Sequence, residues 1–466
     1  MRGITLSAPA MALALFLLYT NWPVVAAQRG IIPAATMGLV PVLLALAAVH
    51  QLVIRRRPIV IDRTLLLMMA FLGVLLLSAL PAQGYDVAFE RILVFVSEGL
   101  LIVFLVRQAI RGLPDLRTAI VATVAAAALL AGLTVFQAVT GNYDQEFMGL
   151  APRSLEHLEG LGASASQVSA GEEIGLEHRA RGPVDEPNRF AQILLMAGAL
   201  SVILALNAHR KVGTIFGWLC VALLLGGVLL TYSRGALVAL FALLVIAVPL
   251  RLIRLNRLVG VLAVGVVVTL AAVPGMAERA RSVAGVAGLF GSAQVEADGP
   301  TRGRTTAMLS ALAAYTDHPV LGVGPGQYLA FHAVRYQQLP ELSFRQIAEP
   351  RRAHNLYLEM AAETGTVGLL LFLAIPFLLL LDLRRLRLTL FPRRPDLARL
   401  ATGFTLVLFA YLGTGVFLHL AYERYYWVMV ALAAAAVGAL REWVREDEAA
   451  TDPYVEVTPN MEVTPI

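Results

Sequence analysis

The sequence contains little charge, one cysteine and one lysine. Charged residues make up 15% of the 466 residues, whereas soluble domains carry about 25%, so the composition excludes a soluble globular protein. The single cysteine, Cys220, lies in an apolar run, which excludes an intramolecular disulfide and a cysteine-based metal site. Lys211 is the only lysine, so nearly all of the basic charge is arginine.

Apolar sequence is abundant instead. Hydrophobic residues account for 58% of the chain, and they recur in runs of roughly 17 residues or more, each long enough to cross ~30 Å of hydrocarbon. The sequence therefore predicts an all-α polytopic membrane protein with about twelve transmembrane helices. The predicted spans are 8–27, 31–54, 64–81, 89–106, 118–140, 189–207, 213–231, 235–250, 258–274, 356–381, 400–419 and 423–440.

Basic clusters follow every even-numbered span. They contain Arg55–Arg57, then Arg107, Arg111 and Arg117, then Arg210 and Lys211, then Arg251, Arg254 and Arg257, then the arginines of 384–399, then Arg441 and Arg445. The positive-inside rule predicts that these clusters and both termini are cytoplasmic. Residues 1–447 would form one transmembrane domain with two long outer loops, about 141–188 and 275–355. Residues 448–466 have the composition of a disordered cytoplasmic tail.

The first predicted span has some signal-peptide character, ending in VVAAQ with a candidate cleavage position after Ala27. Its apolar run of about 20 residues is longer than a signal-peptide core, which favours a retained span.

The two long outer loops are rich in arginine, which orientation does not explain. Arginine without lysine is typical of planar, bidentate recognition of phosphate or carboxylate. A GC-rich genome would explain the bulk excess equally well, so the positions of individual arginines carry more information than their number.

The clearest position is Arg234, within TYSRGALVAL at 231–240. Ser233 and Arg234 form a very tight turn between two apolar runs, which places a guanidinium at the outer membrane boundary. An ionisable group at membrane depth is a candidate functional residue. The structural alternative is an arginine that extends to the interface from a hairpin.

A second segment is RGPVDEPNRFAQILL at 181–195. Asn188 is predicted to cap the sixth span, and Arg189 then lies in the first turn, where a cation opposes the helix dipole. A bound anion would relieve that conflict; simple capping is the alternative.

A third segment, 301–336, predicts an amphipathic outer helix over Thr305–Thr316 followed by a glycine-rich loop. Gly322, Gly324 and Gly326 would allow close approach of the backbone to a ligand, although such glycines more often mark a tight turn. No dinucleotide fingerprint is present, because no strand precedes them.

The fourth segment is RRAHNLYLEMAAETGTVGLLLF at 351–372. The spacing by four predicts that Asn355, Glu359 and Glu363 share one helical face, which must look into protein or a water-filled cavity. Arg351, Arg352 and His354 precede this face. The alternative to a reactive site is an ion-pair network with a satisfied histidine.

Together these segments resemble the Wzy/WaaL O-antigen ligase and polymerase superfamily, over roughly residues 180–380 and in the family's order. The resemblance implies a GT-C-like glycosyltransferase of the bacterial inner membrane. Such an enzyme moves a glycan from undecaprenyl pyrophosphate to an acceptor hydroxyl on the periplasmic face, and in the ligase branch the acceptor is lipid A–core. By resemblance, His354 activates the acceptor hydroxyl, and Arg234 and Arg304 bind the pyrophosphate. The other substrate-binding candidates are Arg189, Arg302, Arg351, Arg352, Asn188, Ser233, Tyr328, Asn355, Glu359 and Glu363.

Metal independence is predicted, with no cofactor. No DxD motif occurs and the first outer loop, 27–30, has no carboxylate, while arginines can neutralise a pyrophosphate. Glu359 and Glu363 keep a metal role open.

Several other functions fit less well. The long loop between spans nine and ten, followed by two final spans, favours a ligase over a Wzy-type polymerase. A protein O-oligosaccharyltransferase usually has a larger C-terminal periplasmic region, whereas this chain is expected to end in the cytoplasm soon after span twelve. Outside this superfamily, an anionic-lipid transporter or flippase would place charges at the midplane and show repeated halves, and neither is evident. A structural envelope subunit would not need the arginine and histidine set. The partners expected are the lipid-linked donor, the lipid acceptor and membrane lipids; nucleic acid is not expected, because in a membrane protein topology is the first explanation of a basic charge.

Overall fold

A computed structural model describes residues 7–157, 176–256, 259–260, 299–339, 351–419 and 424–451. Most of these residues are helical, as predicted, and the one sheet among them is a two-stranded ribbon. The helices are α1 Ser7–Thr20, α2 Trp22–Gln28, α3 Leu39–Val49, α4 Arg63–Ser78, α5 Tyr85–Val94, α6 Leu101–Ala109, α7 Leu113–Thr140, α8 Pro187–Leu206, α9 Lys211–Leu229, α10 Arg234–Ala247, α11 Gly299–Asp317, α12 Ala333–Gln337, α13 Leu356–Leu390, α14 Pro395–Thr414 and α15 Arg424–Thr451. Short 3₁₀ or π turns lie at Ala34–Gly38, His50–Ile54, Phe95–Leu100, Phe147–Gly149, Gly182–Val184 and Tyr328–His332.

Among the described residues, seven helices are long and apolar enough to cross a membrane, or eight when the bent pair α1 and α2 counts as one span. The chain is thus a multi-pass helical membrane protein. Helices also occupy eleven of the twelve predicted segments, but α4 and α10 are shorter than the helices counted as candidate spans. The ninth segment, 258–274, lies almost wholly outside the described residues. The count of twelve spans and their orientation stay predictions.

The centre of the bundle consists of α14 and the first half of α15, which are almost completely buried. Their aromatic side chains pack closely: Tyr411 stacks on Tyr426 with ring centroids 4.0 Å apart, and Trp427 meets Phe95 edge to face. Helices such as α3 and α9 expose apolar side chains on their outer faces, as expected of surfaces that contact lipid.

Helix α13 is broken at Gly365, whose φ of 66° is not helical. The glycine-rich loop supplies hydrogen bonds there, because the amides of Val323 and Gly324 donate to the carbonyls of Ala362 and Glu363 at 2.9 Å. A backbone group freed by a helix break would otherwise be unsatisfied. The loop and the start of α13 therefore form one unit.

Gly322 of this loop packs against α13, which fits the tight-turn alternative; the approach of a ligand to these glycines stays a prediction. At Gly322, with φ of 69°, a Cβ would lie 2.4 Å from the backbone carbon of Glu363. At Gly324 the nearest atoms belong to Gln327 and to the carbonyl of Ser78. No side chain fits where two backbones meet this closely.

The first long loop contains a strand pair that the all-α prediction did not include. Strand β1, Arg153–His157, pairs antiparallel with β2, Leu176–Ala180. The amide of Ala180 donates to the carbonyl of Leu230 at 3.0 Å, so the ribbon is attached to the turn between α9 and α10.

Two predicted boundaries need correction. Helix α14 ends at Thr414, not at 419, because residues 415–419 turn away to form contacts described below. Helix α15 runs to Thr451, so 448–451 are helical and not disordered; 452–466 lie outside the described residues.

An ion network lies towards the far end of α13. Asp382 is buried and binds both Arg63 and Arg441, each at 2.6 Å. A second pair joins Arg107 to Asp62 at 2.6 Å, and Asp62 also caps α4. These bonds connect α4, α6, α13 and α15.

Candidate functional site

A small pocket lies where α8 and α10 begin and α14 ends. Its walls include Asn188, Ser233, Arg304, Thr414 and Phe417. The first three come from three separate segments that the sequence identified, at 181–195, 231–240 and 301–336. We call this end of the helix bundle the site end.

The turn before α10 has the predicted form. Helix α9 ends at Leu229 and α10 begins at Arg234, and Ser233 caps α10 by accepting a hydrogen bond from the amide of Ala236 at 3.3 Å. Tyr232 has a φ of 52°, which closes the turn. Arg234 is half-buried in the first helical turn, directly beside the pocket wall.

Glu186 caps α8, so the prediction that Asn188 does so is wrong. The Glu186 carboxylate accepts from the amides of Asn188 at 3.1 Å and Arg189 at 2.6 Å, and from the Asn188 side chain at 2.8 Å. Because Pro187 is the first helical residue, the cap must be the residue before it. The conflict between Arg189 and the helix dipole is offset by this carboxylate, without a bound anion.

His354 lies in a turn that the start of α13 holds in place. It has a left-handed φ of 48°, which is unusual for a residue other than glycine and requires support from its surroundings. Asn355 supplies that support: its side chain accepts from the amides of Tyr357 and Leu358, both at 3.0 Å, and donates to the carbonyl of Val416 at 3.0 Å. Asn355 therefore precedes the helix as its cap.

Burial, followed by the positive charges of Arg304, Arg351 and Arg352, lowers the pKa of His354 to about 4. All three arginines are among the predicted substrate-binding residues. His354 is therefore neutral at pH 7, with a nitrogen lone pair that can accept a proton. Arg304 connects this histidine to the pocket.

Glu359 holds the loop that carries His354. Its buried carboxylate pairs with Arg352 and accepts from the amide of Ala353 at 3.1 Å. Glu363 is buried one turn further on, and its carbonyl accepts from Ser78 Oγ at 2.8 Å. Over the described residues, no group of three histidine, cysteine or acidic side chains is arranged to hold a metal ion; metal independence stays a prediction.

Two other candidates, Tyr328 and Arg351, lie away from the pocket, and the side chain of a third, Arg302, lies outside the described residues. Tyr328 is fully buried and its hydroxyl donates to the carbonyl of Ala307 at 3.1 Å, which is a packing role. Arg351 is exposed and its main chain is held by Gln337 at 2.6 and 3.1 Å. The side chain of Arg302 lies outside the described residues, although α11 includes its backbone.

Two ionisable residues at the site end were missed. His419 faces His354 edge to face, with ring centroids 5.3 Å apart. Arg91 on α5 packs against Gly326, where a Cβ would lie 2.8 Å from Arg91 Cγ, and its charge acts on His419. Both lay near the ends of predicted spans, where an ionisable group is itself a functional signal.

Apolar helices of membrane-spanning length define a multi-pass membrane protein, and its pocket is lined by Arg304, whose charge also acts on His354. Residues 219–373 match the family model described as O-antigen ligase. This match supports membership of the Wzy/WaaL O-antigen ligase family, which is associated with glycosyltransferase-like ligase or polymerase activity. The matched region includes Arg234, Arg304 and His354 but not Asn188 or His419. No curated protein matches the chain significantly.

Proposed function

We propose that this protein is an O-antigen ligase of the bacterial inner membrane. It would transfer O-antigen polysaccharide from undecaprenyl pyrophosphate to lipid A–core on the periplasmic face. One observation carries the proposal: Arg304 lines the pocket together with Ser233 and Asn188, and its charge also acts on His354. The guanidinium of Arg304 thus borders the pocket proposed to hold the pyrophosphate and acts on His354, the base proposed for the acceptor.

The residues divide the reaction between them. His354 takes the proton from the acceptor hydroxyl, whose oxygen forms a bond to the anomeric carbon of the glycan. The bond from that carbon to the phosphate oxygen breaks, and its electron pair stays on the pyrophosphate. Arg234 and Arg304 stabilise the charge that develops there, which is worth most in a site with little water.

Arg304 also makes the activity of His354 as a base depend on the glycan donor. In the protein without substrate, burial and three guanidiniums hold the pKa of His354 at about 4, so it is a weak base at pH 7. A bound pyrophosphate would place negative charge beside Arg304, one of these three, and raise that pKa. His354 would then accept a proton only when the glycan donor is present.

Purified protein supplied with glycan–undecaprenyl pyrophosphate and lipid A–core tests the proposal. Glycan attached to lipid A–core is the expected product, with and without EDTA. Chain growth on the lipid carrier alone would instead assign polymerase activity, and lipid flipping in proteoliposomes without transfer would assign a transporter.

A histidine outside the pocket provides a matched control for the base. His354→Ala should abolish transfer. His318 is an exposed histidine just before the glycine-rich loop, and His318→Ala should leave transfer intact. Full activity of His354→Ala would remove the base assignment.

A further inference from the structure

The segment after α14, residues 415–419, joins the parts of the site. The amide of Leu356 donates to the carbonyl of Gly415 at 2.8 Å, and the Asn355 side chain donates to the carbonyl of Val416 at 3.0 Å. These bonds attach the beginning of α13, and with it the His354 turn, to the end of α14.

The same segment also contacts the other half of the site. A Cβ on Gly235 would lie 3.0 Å from the ring of Phe417, so the beginning of α10 packs against it. Phe417 and Leu418 line the pocket with Ser233 and Arg304. A displacement of this segment would therefore move the arginines relative to His354.

His419 ends this segment and faces His354. Their ring centroids are 5.3 Å apart and the planes make an angle of 78°, which is a favourable edge-to-face arrangement. Nδ1 of His419 is buried and has no hydrogen-bond partner within the described part of the chain. Burying such an atom costs about 1–3 kcal/mol, so stability alone would favour an apolar ring here.

The charges around the pair separate the roles of the two histidines. Burial first, and then the charges of Arg352, His354, Arg189 and Arg91, lower the pKa of His419. A second proton would be placed among these cations, so His419 stays neutral while His354 is protonated. A neutral ring beside an imidazolium is stabilising, by the same attraction that holds cations over aromatic faces.

We propose that His419 is a positioning residue for His354: its neutral ring fixes the plane of the His354 imidazole and stabilises it while it carries the acceptor's proton. This inference rests on the proposed function, because it assumes that His354 is the base. It assigns no contact between His419 and the substrates.

Three variants test the proposal: His419→Ala removes the ring, His419→Phe keeps a ring of similar shape, and His318→Ala is the matched control. His318 faces His332 edge to face, with ring centroids 6.0 Å apart and an angle of 75°, so its variant removes the same kind of contact elsewhere. Size-exclusion chromatography and thermal unfolding of each purified variant establish that it is folded.

The first readout needs no catalysis. Diethyl pyrocarbonate modifies neutral imidazoles, and peptide mapping by mass spectrometry separates the eight histidines of the chain. The pH dependence of His354 modification then gives its pKa. The proposal assigns His419 the stabilisation of the protonated His354 ring, so His419→Ala should lower this pKa, while His419→Phe and His318→Ala should leave it close to that of the parent protein.

The second readout is steady-state glycan transfer, or carrier extension if the protein proves to be a polymerase. His419→Ala should lower kcat at least about tenfold with little change in KM, because misplacing a reacting group by 1 Å can cost about a hundredfold. His419→Phe should recover most of that loss.

Each contrary result has a distinct meaning. Unchanged kcat in His419→Ala overturns the proposal. A His419→Phe variant as impaired as His419→Ala also overturns it, because that result would assign the role to a ring nitrogen. Full activity of His354→Ala would remove the base assignment of the proposed function instead, and the labelling would still show whether His419 controls the environment of His354.

Discussion

At the scale of the residue, the site uses charge to set the protonation of its histidines. His354 is surrounded by Arg304, Arg351 and Arg352, and one of these, Arg352, is held by the buried carboxylate of Glu359. Fixed cations around a neutral base suit a reaction in which negative charge arrives with the substrate and grows on the leaving group.

The geometry of the guanidinium is expected to matter at Arg234. Lysine keeps the charge but cannot form two parallel hydrogen bonds to a pyrophosphate, so Arg234→Lys should lower kcat by about a hundredfold, the scale of losing one donor to a developing anion. Arg393→Lys, which changes an exposed pair with Asp447, should leave transfer unchanged. Steady-state assays on both variants make the comparison; equal activities would argue against bidentate binding.

The pKa of His354 should respond to the donor. A base must be neutral to act, so activity is lost as pH falls through its pKa. We expect kcat/KM, which reports the substrate-free protein, to fall only below about pH 4, whereas kcat should already fall at a higher pH because bound pyrophosphate offsets the arginines. NMR titration of histidine-labelled protein, with and without a pyrophosphate analogue, checks the shift directly. An identical titration in both conditions would contradict it.

At the scale of the element, the site depends on a broken helix and the loop that completes it. The break at Gly365 leaves carbonyls that the amides of Val323 and Gly324 satisfy. His354 therefore lies just before a helix start that is held from two sides, by this loop and by the end of α14.

Gly322 and Gly141 allow that contact to be measured. Both have a φ of 69°, but a Cβ on Gly141 would meet nothing within 4 Å, whereas one on Gly322 would clash with the backbone of α13. Gly141→Ala should cost only the left-handed penalty of roughly 1–2 kcal/mol. Gly322→Ala should cost at least about 2 kcal/mol more, seen as a lower unfolding temperature in detergent. Equal costs would mean that the loop moves aside freely.

Local patterns predicted the elements better than their junctions. The start of α13, the turn at Ser233 and the helix over Thr305–Thr316 were predicted correctly, because capping chemistry and apolar periodicity depend on neighbouring residues. Asn188 was assigned a capping role that Glu186 fills, since the effect of Pro187 on the cap position was overlooked.

The site was predicted in part for the same reason. Arg304, Ser233 and Asn188 were identified and the structure brings them to one pocket. His419 was not, because its role depends on contacts with residues about 60 positions earlier in the chain. The early end of α14 at Thr414 likewise depends on bonds from Asn355 and Leu356, which no local pattern reveals.

At the scale of the whole molecule, polar networks lie towards both ends of an apolar bundle. The site end carries the arginines and histidines, and Asp382 joins α4, α13 and α15 towards the other end. Seventeen residues separate Gly365 from Asp382, which is about 25 Å of helix. The two networks are therefore far enough apart to be changed independently.

Asp382→Asn should lower stability without affecting catalysis. Breaking a buried pair leaves its partners uncompensated and costs about 3–5 kcal/mol; half-exposure of Arg63 and Arg441 places the expected loss towards the lower value. Asp447→Asn, in an exposed pair, should cost less than about 1 kcal/mol. Thermal unfolding measures both, and transfer per folded molecule should stay unchanged. A loss of transfer without a loss of stability would show that the two ends are coupled.

Several hydrogen bonds that attach the first turns of α13 to neighbouring segments join two peptide groups. Leu356 binds Gly415, and Val323 and Gly324 bind Ala362 and Glu363, entirely through main-chain atoms. Peptide groups are the same whatever side chains they carry, so these bonds do not require particular side chains at the positions that form them. Random mutagenesis of the loop should therefore recover many functional sequences that share few side chains between the required glycines, and a lineage using this scaffold could drift far in sequence while its chemistry stays in place.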